Sequence, residues 1–260
     1  MPAIPFGAQL LDLLPRPLAR PLYRWRHPEY LAHAEVLPGL HLDLGIPARS
    51  RLWRARLAAV AGHEPALCEW LRTYLRPDEV FVDVGAAFGF FPALVQALRP
   101  AAEVHALEAS WKPYTFLERN NARHGRRWHL REGRLGAHDD AHTLRLDTYA
   151  ARLQRPPTLV KMDVDGAEYA ILSGAEKLIA ARQTEFLVEI HPHELLNFGG
   201  SAEQVLALFA DRYRIRVLPN LRTAGAEAAT QPEWSSDLSW LERDPNPYLY
   251  LAPEEIARFG

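Results

Sequence analysis

Residues 80–91 carry the feature of this sequence that most restricts its fold. The apolar run 80–84 leads into a turn with Gly85 and Gly89, and residues 90–98 continue with apolar side chains at helical spacing. This order predicts a strand, a tight turn and a helix whose first backbone amides point at whatever lies above the turn. Such a turn forms the nucleotide corner of a doubly wound sheet, where ligands bind beyond the carboxyl ends of the strands.

The spacing of the glycines indicates which ligand the turn suits. A dinucleotide fingerprint needs a third glycine in the order G-x-G-x-x-G. Here the order is D-x-G-x-A-x-G from Asp83 to Gly89, with Ala87 in the middle, and a second acid, Glu108, ends the next strand-like run. This pattern is similar to motif I of the Rossmann-like S-adenosylmethionine (SAM) methyltransferases. An NAD-dependent oxidoreductase stays as an alternative, which the missing glycine disfavours.

Two later segments narrow the resemblance. Residues 158–175 read TLVKMDVDGAEYAILSGA, and residues 186–192 read FLVEIHP. With the glycine-rich turn they resemble the FkbM family of SAM-dependent methyltransferases, whose members carry D-V-G-A-N-x-G, K-x-D-V-E-G-A-E and V-E-I-H in this order. The resemblance covers roughly residues 60 to 215. The chain departs from it at Ala87, where the family usually has Asn, and at Asp165, where it has Glu.

The fold that the resemblance implies is α/β: a doubly wound, mostly parallel seven-stranded Rossmann-like methyltransferase sheet with helices on both faces. The alternation of strand-like and helix-like segments between residues 80 and 218 independently predicts parallel strands with right-handed crossovers. We expect residues 61–260 to form the SAM-dependent methyltransferase domain, and residues 1–60, rich in Pro and Arg, to pack on it as an N-terminal extension. Residues 248–251 are expected to close the sheet.

For the cofactor, SAM, the resemblance points to the turn and to the acid after it. Asp83 is expected to order the amino acid end of SAM directly or through water, and Glu108 to accept both ribose hydroxyls. In a purely structural interpretation, Asp83 caps the turn and Glu108 is a solvated strand end. The expected cofactor-binding residues are Asp83, Gly85, Ala86, Phe88, Gly89 and Glu108.

Asp163, Glu189 and His191 are the expected catalytic residues. Asp163 ends one strand, and Glu189 and His191, two residues apart, end the next strand on the same side of it. An imidazole with an ordinary pKa near neutrality can deprotonate a hydroxyl, and the carboxylates can orient it. The three residues could bind the acceptor directly or hold a divalent metal that lowers the pKa of the hydroxyl. A mixed set of oxygen and nitrogen ligands does not identify a metal.

Three charged residues near Asp163 have structural interpretations. Asp165 and Glu168 are expected to form a capping box at the start of one helix that runs to about residue 182. Lys161 is expected to face the helix layer or a partner carboxylate, with a catalytic role as the weaker alternative.

Three further segments offer weaker sites. Segment 132–142 could bind a metal through its two histidines and two aspartates, but its glycines favour a turn. Four arginines between residues 16 and 26 could face an acidic ligand, a partner or an anionic membrane, although a solvated face is the simpler interpretation. Segment 218–246 is expected to form a substrate-side wall, with Trp234 and Trp240 either contacting the acceptor or pinning the loop to the core.

Charge and composition exclude several classes of protein. With 30 basic and 32 acidic residues, the net charge of −2 provides no field that would concentrate nucleic acid. The single cysteine, Cys68, allows no intrachain disulfide, and no run approaches the roughly 18 apolar residues of a membrane span. We therefore expect a cytoplasmic protein with no transmembrane segment and no nucleic-acid substrate.

The sequence and the resemblance together predict a SAM-dependent methyltransferase that methylates a hydroxyl of a small molecule, sugar or glycan. The alternatives are a catalytically silent module that binds nucleotide and partners, the oxidoreductase, and methylation at nitrogen. The sequence does not specify the acceptor, the metal dependence or the oligomeric state.

Overall fold

Residues 16–58 fold into a β-hairpin preceded and followed by a helix. The computed structural model describes residues 11–59, 62–210, 212–218 and 246–258. The first elements are α1 (Arg16–Arg26), β1 (Glu29–Leu37), β2 (Leu40–Pro47) and α2 (Arg51–Ala58). Because alternate side chains of a strand share one face, Ala32, Ala34 and Ile46 are buried together in the core that lies on the central sheet. The sequence analysis did not predict this hairpin.

A seven-stranded sheet forms the centre of the molecule. Its strands are β3 (Val80–Val84), β4 (Glu103–Glu108), β5 (Trp128–Glu132), β8 (Leu159–Met162), β9 (Glu185–Glu189), β10 (Arg214–Leu218) and β11 (Tyr248–Ala252). The strands β6 (Arg134–Leu135) and β7 (Thr143–Leu144) form a separate ladder. The spatial order of the central sheet is β10-β11-β9-β8-β3-β4-β5, and β3, β4, β5, β8 and β9 are parallel. Successive strands are added on one side of β3 as β4 and β5 and on its other side as β8 and β9, so β3 lies at the switch point where such sheets bind ligands.

Helices cover both faces of the sheet because its buried strands carry apolar side chains on both. The hairpin, α3 (Pro65–Tyr74), α4 (Phe90–Leu98) and α5 (Trp111–Arg123) pack on the face that contains Phe81. The helices on the face of Val82 are α6 (Leu146–Ala150), α7 (Glu168–Ser173), α8 (Glu176–Ala181), α9 (Pro192–Asn197) and α10 (Ala202–Phe209). The predicted fold class, a doubly wound and mostly parallel sheet of seven strands, is confirmed.

Three elements differ from the sequence-based expectation. The last strand, β11, closes the sheet from within, because it lies between β9 and β10 and is antiparallel to both. Residues 143–146, whose alternating pattern predicts a short edge strand, contribute residues 143–144 to a ladder with β6 and not to the central sheet. The helix expected to reach residue 182 is two helices, because the chain turns at Gly174, where a Cβ atom would lie 2.2 Å from the Gly136 carbonyl oxygen.

Candidate functional site

The glycine-rich turn joins β3 to α4 through three residues with positive φ. Gly85, Ala87 and Gly89 have φ angles of 86°, 48° and 89°. A Cβ atom on Gly85 would lie 1.9 Å from the carbonyl oxygen of Asp163, so this position requires glycine for packing as well as for φ. Ala87 adopts a left-handed conformation that costs a residue with a side chain about 1–2 kcal/mol. The turn therefore keeps the glycine-type backbone even where alanine replaces glycine.

Glu108 is buried beside this turn and binds its backbone. Its Oε2 accepts a hydrogen bond from the Ala87 amide at 2.9 Å, and its Oε1 accepts one from the Ser110 amide at 2.7 Å. Burial raises the pKa of Glu108, and the two backbone hydrogen bonds oppose that rise. The carboxylate is therefore not a solvated strand end, since it links the end of β4 to the turn.

Asp83, the last residue but one of β3, is a fully buried carboxylate. The Nζ atom of Lys161 on β8 lies 3.4 Å from its Oδ1, so Lys161 faces a partner carboxylate, one of its two expected orientations. Apart from this lysine, no residue that the structure describes donates a hydrogen bond to either oxygen of Asp83. Burial raises the pKa of Asp83, and the charge of Lys161 opposes that rise. Because buried carboxylates are normally hydrogen-bonded, Asp83 has the capacity to bind a polar or cationic group.

Asp163, Glu189 and His191 meet at the ends of β8 and β9. The Nε2 atom of His191 lies 3.7 Å from Asp163 Oδ1 and 3.7 Å from Glu189 Oε1. One ligand atom of each residue lies within 4.8 Å of the other two, close enough for all three to hold one metal ion. Glu189 and His191 are buried, whereas 24% of the Asp163 side chain is exposed. The structure thus brings together the three residues that the sequence analysis grouped.

Glu168 binds His191 and does not cap a helix. Its Oε1 lies 2.6 Å from His191 Nδ1 and accepts a hydrogen bond from the Gly166 amide at 3.2 Å. The expected capping box is wrong, because Ala167 is the N-cap of α7, without a side-chain hydrogen bond. Asp165 instead has a positive φ of 47° and an exposed side chain. Glu168 therefore bonds the buried imidazole of His191 and makes no capping interaction.

The carboxylates around His191 change its proton affinity. Burial alone would lower the pKa of His191, but the hydrogen bond to Glu168 and the charges of Glu189 and Asp163 raise it to about 8. Because Glu168 occupies Nδ1, the nitrogen that faces Asp163 and Glu189 is Nε2. His191 is therefore a cation at neutral pH and becomes a base above about pH 8.

A cavity lies against the turn, and its far wall comes from the N-terminal part of the chain. One side is formed by the turn, Lys161 and Asp163, and the other by β2, α2 and the segment before α3. The second side includes Ile46, Trp53, Arg56, Leu57, His63 and Glu64. The ring of Trp53 packs edge to face on those of His63 and Phe88. The sequence analysis assigned no site to this segment, because a contact between residues 53–64 and the turn leaves no local pattern.

Segment 132–142 contains the turn that its glycines predicted. The Oδ1 atom of Asp140 accepts hydrogen bonds from the amides of His142 at 2.7 Å and Thr143 at 2.8 Å. Asp139 accepts one from the Arg145 amide at 2.8 Å. Both aspartates therefore stabilise the local backbone. A different group with metal-ligand spacing, Glu103, His105 and His129, lies on β4 and β5 and was not predicted.

Three of the four arginines of α1 form ion pairs, although Arg16, Arg24 and Arg26 are exposed, as expected of a solvated face. Arg20 pairs with Glu118 on α5 and with Glu132 at the end of β5, and Arg24 pairs with Glu118 at 3.5 Å. These pairs attach α1 to the central domain. The expected substrate-side wall with Trp234 and Trp240 lies outside the described residues.

The sheet, its switch point and the glycine-rich turn together define a Rossmann-like methyltransferase fold. More narrowly, residues 101–215 match the family model described as methyltransferase FkbM domain. This match confirms the resemblance inferred from the motifs. Residues 16–98, which include the turn and the far wall of the cavity, lie outside the matched region.

Several solved methyltransferase structures are similar to this chain at low sequence identity. A methyltransferase FkbM from Methylobacillus flagellatus is 19% identical with a TM-score of 0.48, over 69% of this chain and 45% of that protein. The chain thus spans less than half of its length. A precorrin-6y C5,15-methyltransferase from Geobacter metallireducens is 15% identical with a TM-score of 0.46, over 73% and 87%. An rRNA methylase from Streptococcus thermophilus is 14% identical with a TM-score of 0.46, over 72% and 93%.

No curated protein matches the chain at a significant level. None of the helices in the described ranges is both long enough and apolar enough to cross a membrane.

Proposed function

We propose that the protein binds SAM and transfers its methyl group to a hydroxyl of a small molecule, sugar or glycan. The observation that carries this proposal is Asp83, a fully buried carboxylate at the glycine-rich turn that has Lys161 as its one charged partner among the described residues. The carboxylates that act on Lys161 are those of Asp83, Asp163, Glu64 and Glu189. Burial lowers the pKa of Lys161, but these charges outweigh burial and raise it above its usual range. Asp83 therefore has capacity for a further polar or cationic group, and SAM carries a sulfonium and an ammonium group.

The order of the strands supports one direction for SAM across the end of β3. Glu108 lies on the β4 side, whereas Asp163 and the cavity lie on the β8 side. In this proposal Glu108 accepts hydrogen bonds from the ribose, and Asp83 binds the amino acid end. The residues of the turn between them that would contact SAM are Gly85, Ala86, Phe88 and Gly89.

When bound, SAM would supply a methyl group on a positively charged sulfur. The residues of this chain would align the acceptor and remove its proton. In this proposal Asp163, the most exposed of the three catalytic candidates, orients the acceptor hydroxyl, and the proton goes to Nε2 of the neutral form of His191, whose fraction increases as the pH rises towards 8. Glu189 and Glu168 then stabilise the imidazolium, which agrees with the raised pKa of His191. Since amines lose a proton with less help, this set of residues favours a hydroxyl acceptor over a nitrogen.

A divalent metal bound by Asp163, Glu189 and His191 is a second form of the same proposal. The close approach of their ligand atoms supports it, and a metal at this position would lower the pKa of the acceptor hydroxyl. Turnover lost in EDTA and restored by a divalent cation would favour this form. Turnover that persists in EDTA would favour His191 as the base.

Isothermal titration tests the cofactor directly. We expect SAM and S-adenosylhomocysteine to bind in the micromolar range and NAD not to bind. Glu108→Ala should weaken SAM binding by about 10- to 100-fold, because two hydrogen bonds to the ribose are lost. Glu103→Ala, at the opposite end of the same strand, is the matched control and should bind SAM like the wild type. If the folded wild-type protein binds neither SAM nor S-adenosylhomocysteine, the proposal is wrong.

The main rival is a silent module that binds nucleotide without turnover. It predicts that SAM binds but that no acceptor is methylated by the wild type in a screen of sugars and small hydroxyl compounds. Once an acceptor is found, Asp163→Asn and His191→Gln distinguish the two functions. Methyl transfer that both variants sustain at the wild-type rate would contradict the catalytic roles proposed here.

A further inference from the structure

The far wall of the cavity carries one cation, Arg56, that has no acidic partner in the described ranges. Arg56 lies on α2, and its guanidinium carbon is 5.5 Å from the ring centroid of Trp53, which also lines the cavity. Two carboxylates line the same cavity: Glu64 lies 3.7 Å from His63, and Asp163 lies near Lys161 and His191. Lys161, the second cation of the lining, is buried among carboxylates on the opposite side. The two cations therefore have different surroundings within one cavity.

The charge pattern of the cavity matches the amino acid end of SAM. This end carries an ammonium and a carboxylate on the same carbon atom. The acids near Lys161 attract the ammonium but repel the carboxylate, so the carboxylate requires a cation on another side of the cavity. Arg56 is on that side, and a planar guanidinium can bind a carboxylate through two parallel hydrogen bonds. Its contact with Trp53 restricts the side chain, which lowers the entropy lost on binding.

The geometry points to Arg56 as the residue that binds the α-carboxylate of SAM. This inference rests on the proposed function, because it concerns the same cofactor in the same cavity. It also gives the N-terminal extension a role in the reaction. Residues 44–64 precede the region that matches the FkbM family model, yet they supply one wall of the cavity and the partner for one end of the cofactor.

Two ligands that differ only in the carboxylate test the inference. SAM and decarboxylated SAM share the adenosine, the sulfonium and the ammonium, so their affinities isolate the contribution of the carboxylate. We would measure both dissociation constants by isothermal titration for the wild type, Arg56→Gln and Arg54→Gln. Arg54 is two residues away on α2, and its guanidinium packs over Tyr30, so Arg54→Gln is the matched control.

Arg56→Gln should weaken SAM binding by about 10- to 100-fold, the range expected for a charge-assisted hydrogen bond. Its affinity for decarboxylated SAM should stay within about twofold of the wild type. Arg54→Gln should change neither. Arg56→Lys, which keeps the charge but not the planar pair of donors, should lie between the wild type and Arg56→Gln for SAM.

Three other outcomes have distinct meanings. An equal loss of affinity for both ligands would overturn the inference, because Arg56 would then support the cavity and not the carboxylate. Unchanged affinity for both would overturn it as well. If the wild type binds neither ligand, the proposed function itself fails, and this result is separate from the other two. Thermal unfolding followed by circular dichroism confirms that each variant is folded.

Discussion

The buried acids at the two ends of the central sheet have different kinds of partners. At the end where the parallel strands begin, Glu79 precedes β3 and Glu185 begins β9, and both carboxylates contact Arg258. At the end where the same strands finish, Asp83 and Glu189 lie in the acid-rich site. The strands β3 and β9 therefore begin in one cluster of charges, the first cluster (Glu79, Glu185 and Arg258), and finish in another, the second cluster around Asp83 and Glu189.

In the first cluster, arginines and hydroxyl groups of the chain bind both carboxylates. Arg258 donates to Glu79 through Nη1 at 2.6 Å and Nη2 at 2.9 Å, and it donates to Glu185 through Nε at 2.6 Å. Arg76 lies 3.1 Å from Glu185, and the hydroxyls of Thr158 and Tyr250 complete the hydrogen bonds of the two acids. Two arginines thus meet two carboxylates, and every partner is part of the chain.

The second cluster lies beside a cavity, and among the described residues Lys161 is the one charged partner of its buried Asp83. The comparison of the two clusters indicates that buried charges in one sheet can either stabilise the fold or bind a ligand. Buried charges that are fully paired within the chain stabilise the fold only as long as every partner is present. Buried charges with spare capacity at a switch point destabilise the empty protein and favour a ligand that completes them. We therefore expect changes at the first end to alter stability, and changes at the second end to alter binding.

The largest effect should follow from Arg258→Met. This change leaves Glu79 and Glu185 buried without their shared cation, and it should lower the free energy of unfolding by about 3–5 kcal/mol. Urea denaturation followed by circular dichroism measures it. Arg182→Met is the control, because Arg182 and Glu255 form an exposed pair at 2.6 Å whose loss should cost less than about 1 kcal/mol. Similar values for the two variants would contradict the structural role given to the first cluster.

A smaller effect should appear as a pH dependence at the second end. The pKa of His191 is raised in the folded protein to about 8, above its ordinary value near 6.5. Its protonated form therefore stabilises the fold by roughly 2 kcal/mol below pH 6.5, and this contribution is lost as the pH rises through 8. The charged groups that produce it are Glu168 on α7, Glu189 on β9 and Asp163 after β8, and the exposed Asp165 also lies 3.5 Å from Nε2.

The measurement is the unfolding free energy of the wild type and of His191→Gln at pH 6 and pH 9, in EDTA. The advantage of the wild type should be larger at pH 6. Glu79→Gln provides the control from the first cluster. Burial raises the pKa of Glu79, but its bonds to Arg258 outweigh burial and lower it, so the carboxylate is ionised at both pH values. The loss from Glu79→Gln should therefore be the same at both. A contribution of His191 to the free energy of unfolding that increases from pH 6 to pH 9 would contradict this prediction.

The smallest effect concerns the backbone of the turn. Ala87 has a positive φ of 48°, so Ala87→Gly should raise the free energy of unfolding by about 1 kcal/mol. Ala86→Gly, at the neighbouring residue without a positive φ, should lower it by about 0.5–1 kcal/mol. Thermal unfolding of both variants measures the difference. If both variants change the free energy of unfolding by the same amount in the same direction, the positive φ of Ala87 does not strain the turn.

The parts of the molecule that the sequence predicted are those determined by local pattern and strand order. Apolar runs defined the parallel strands, and because parallel strands end at one edge, the sequence alone could place Asp163 beside Glu189 and His191. The hairpin carried a usable signal as well. Alternating apolar residues between Ala32 and Ile46, around Gly39, are typical of two paired strands, but the sequence analysis did not use this pattern.

The remaining features depend on contacts between distant residues. Glu79 and Arg258 are 179 residues apart, and nothing in either neighbourhood indicates the other. Glu168 matched a capping motif, yet it bonds His191, 23 residues later, because a buried imidazole is the stronger partner. Arg56 lines the cavity only through the packing of α2 beside the turn. Each of these cases depends on the three-dimensional arrangement and not on the local sequence.

The position of β11 has a consequence for the order of folding during synthesis. The edge of β9 that faces β11 remains open until residues 248–252 have left the ribosome, about sixty residues after β9 itself. At roughly 5–20 residues per second, this interval lasts about 3–12 s. During it the nascent chain exposes an apolar strand with unpaired backbone groups, which is a template for aggregation. When β11 pairs with β9, that edge is no longer exposed. Arg258, six residues after β11, can then bind the carboxylates of Glu79 and Glu185.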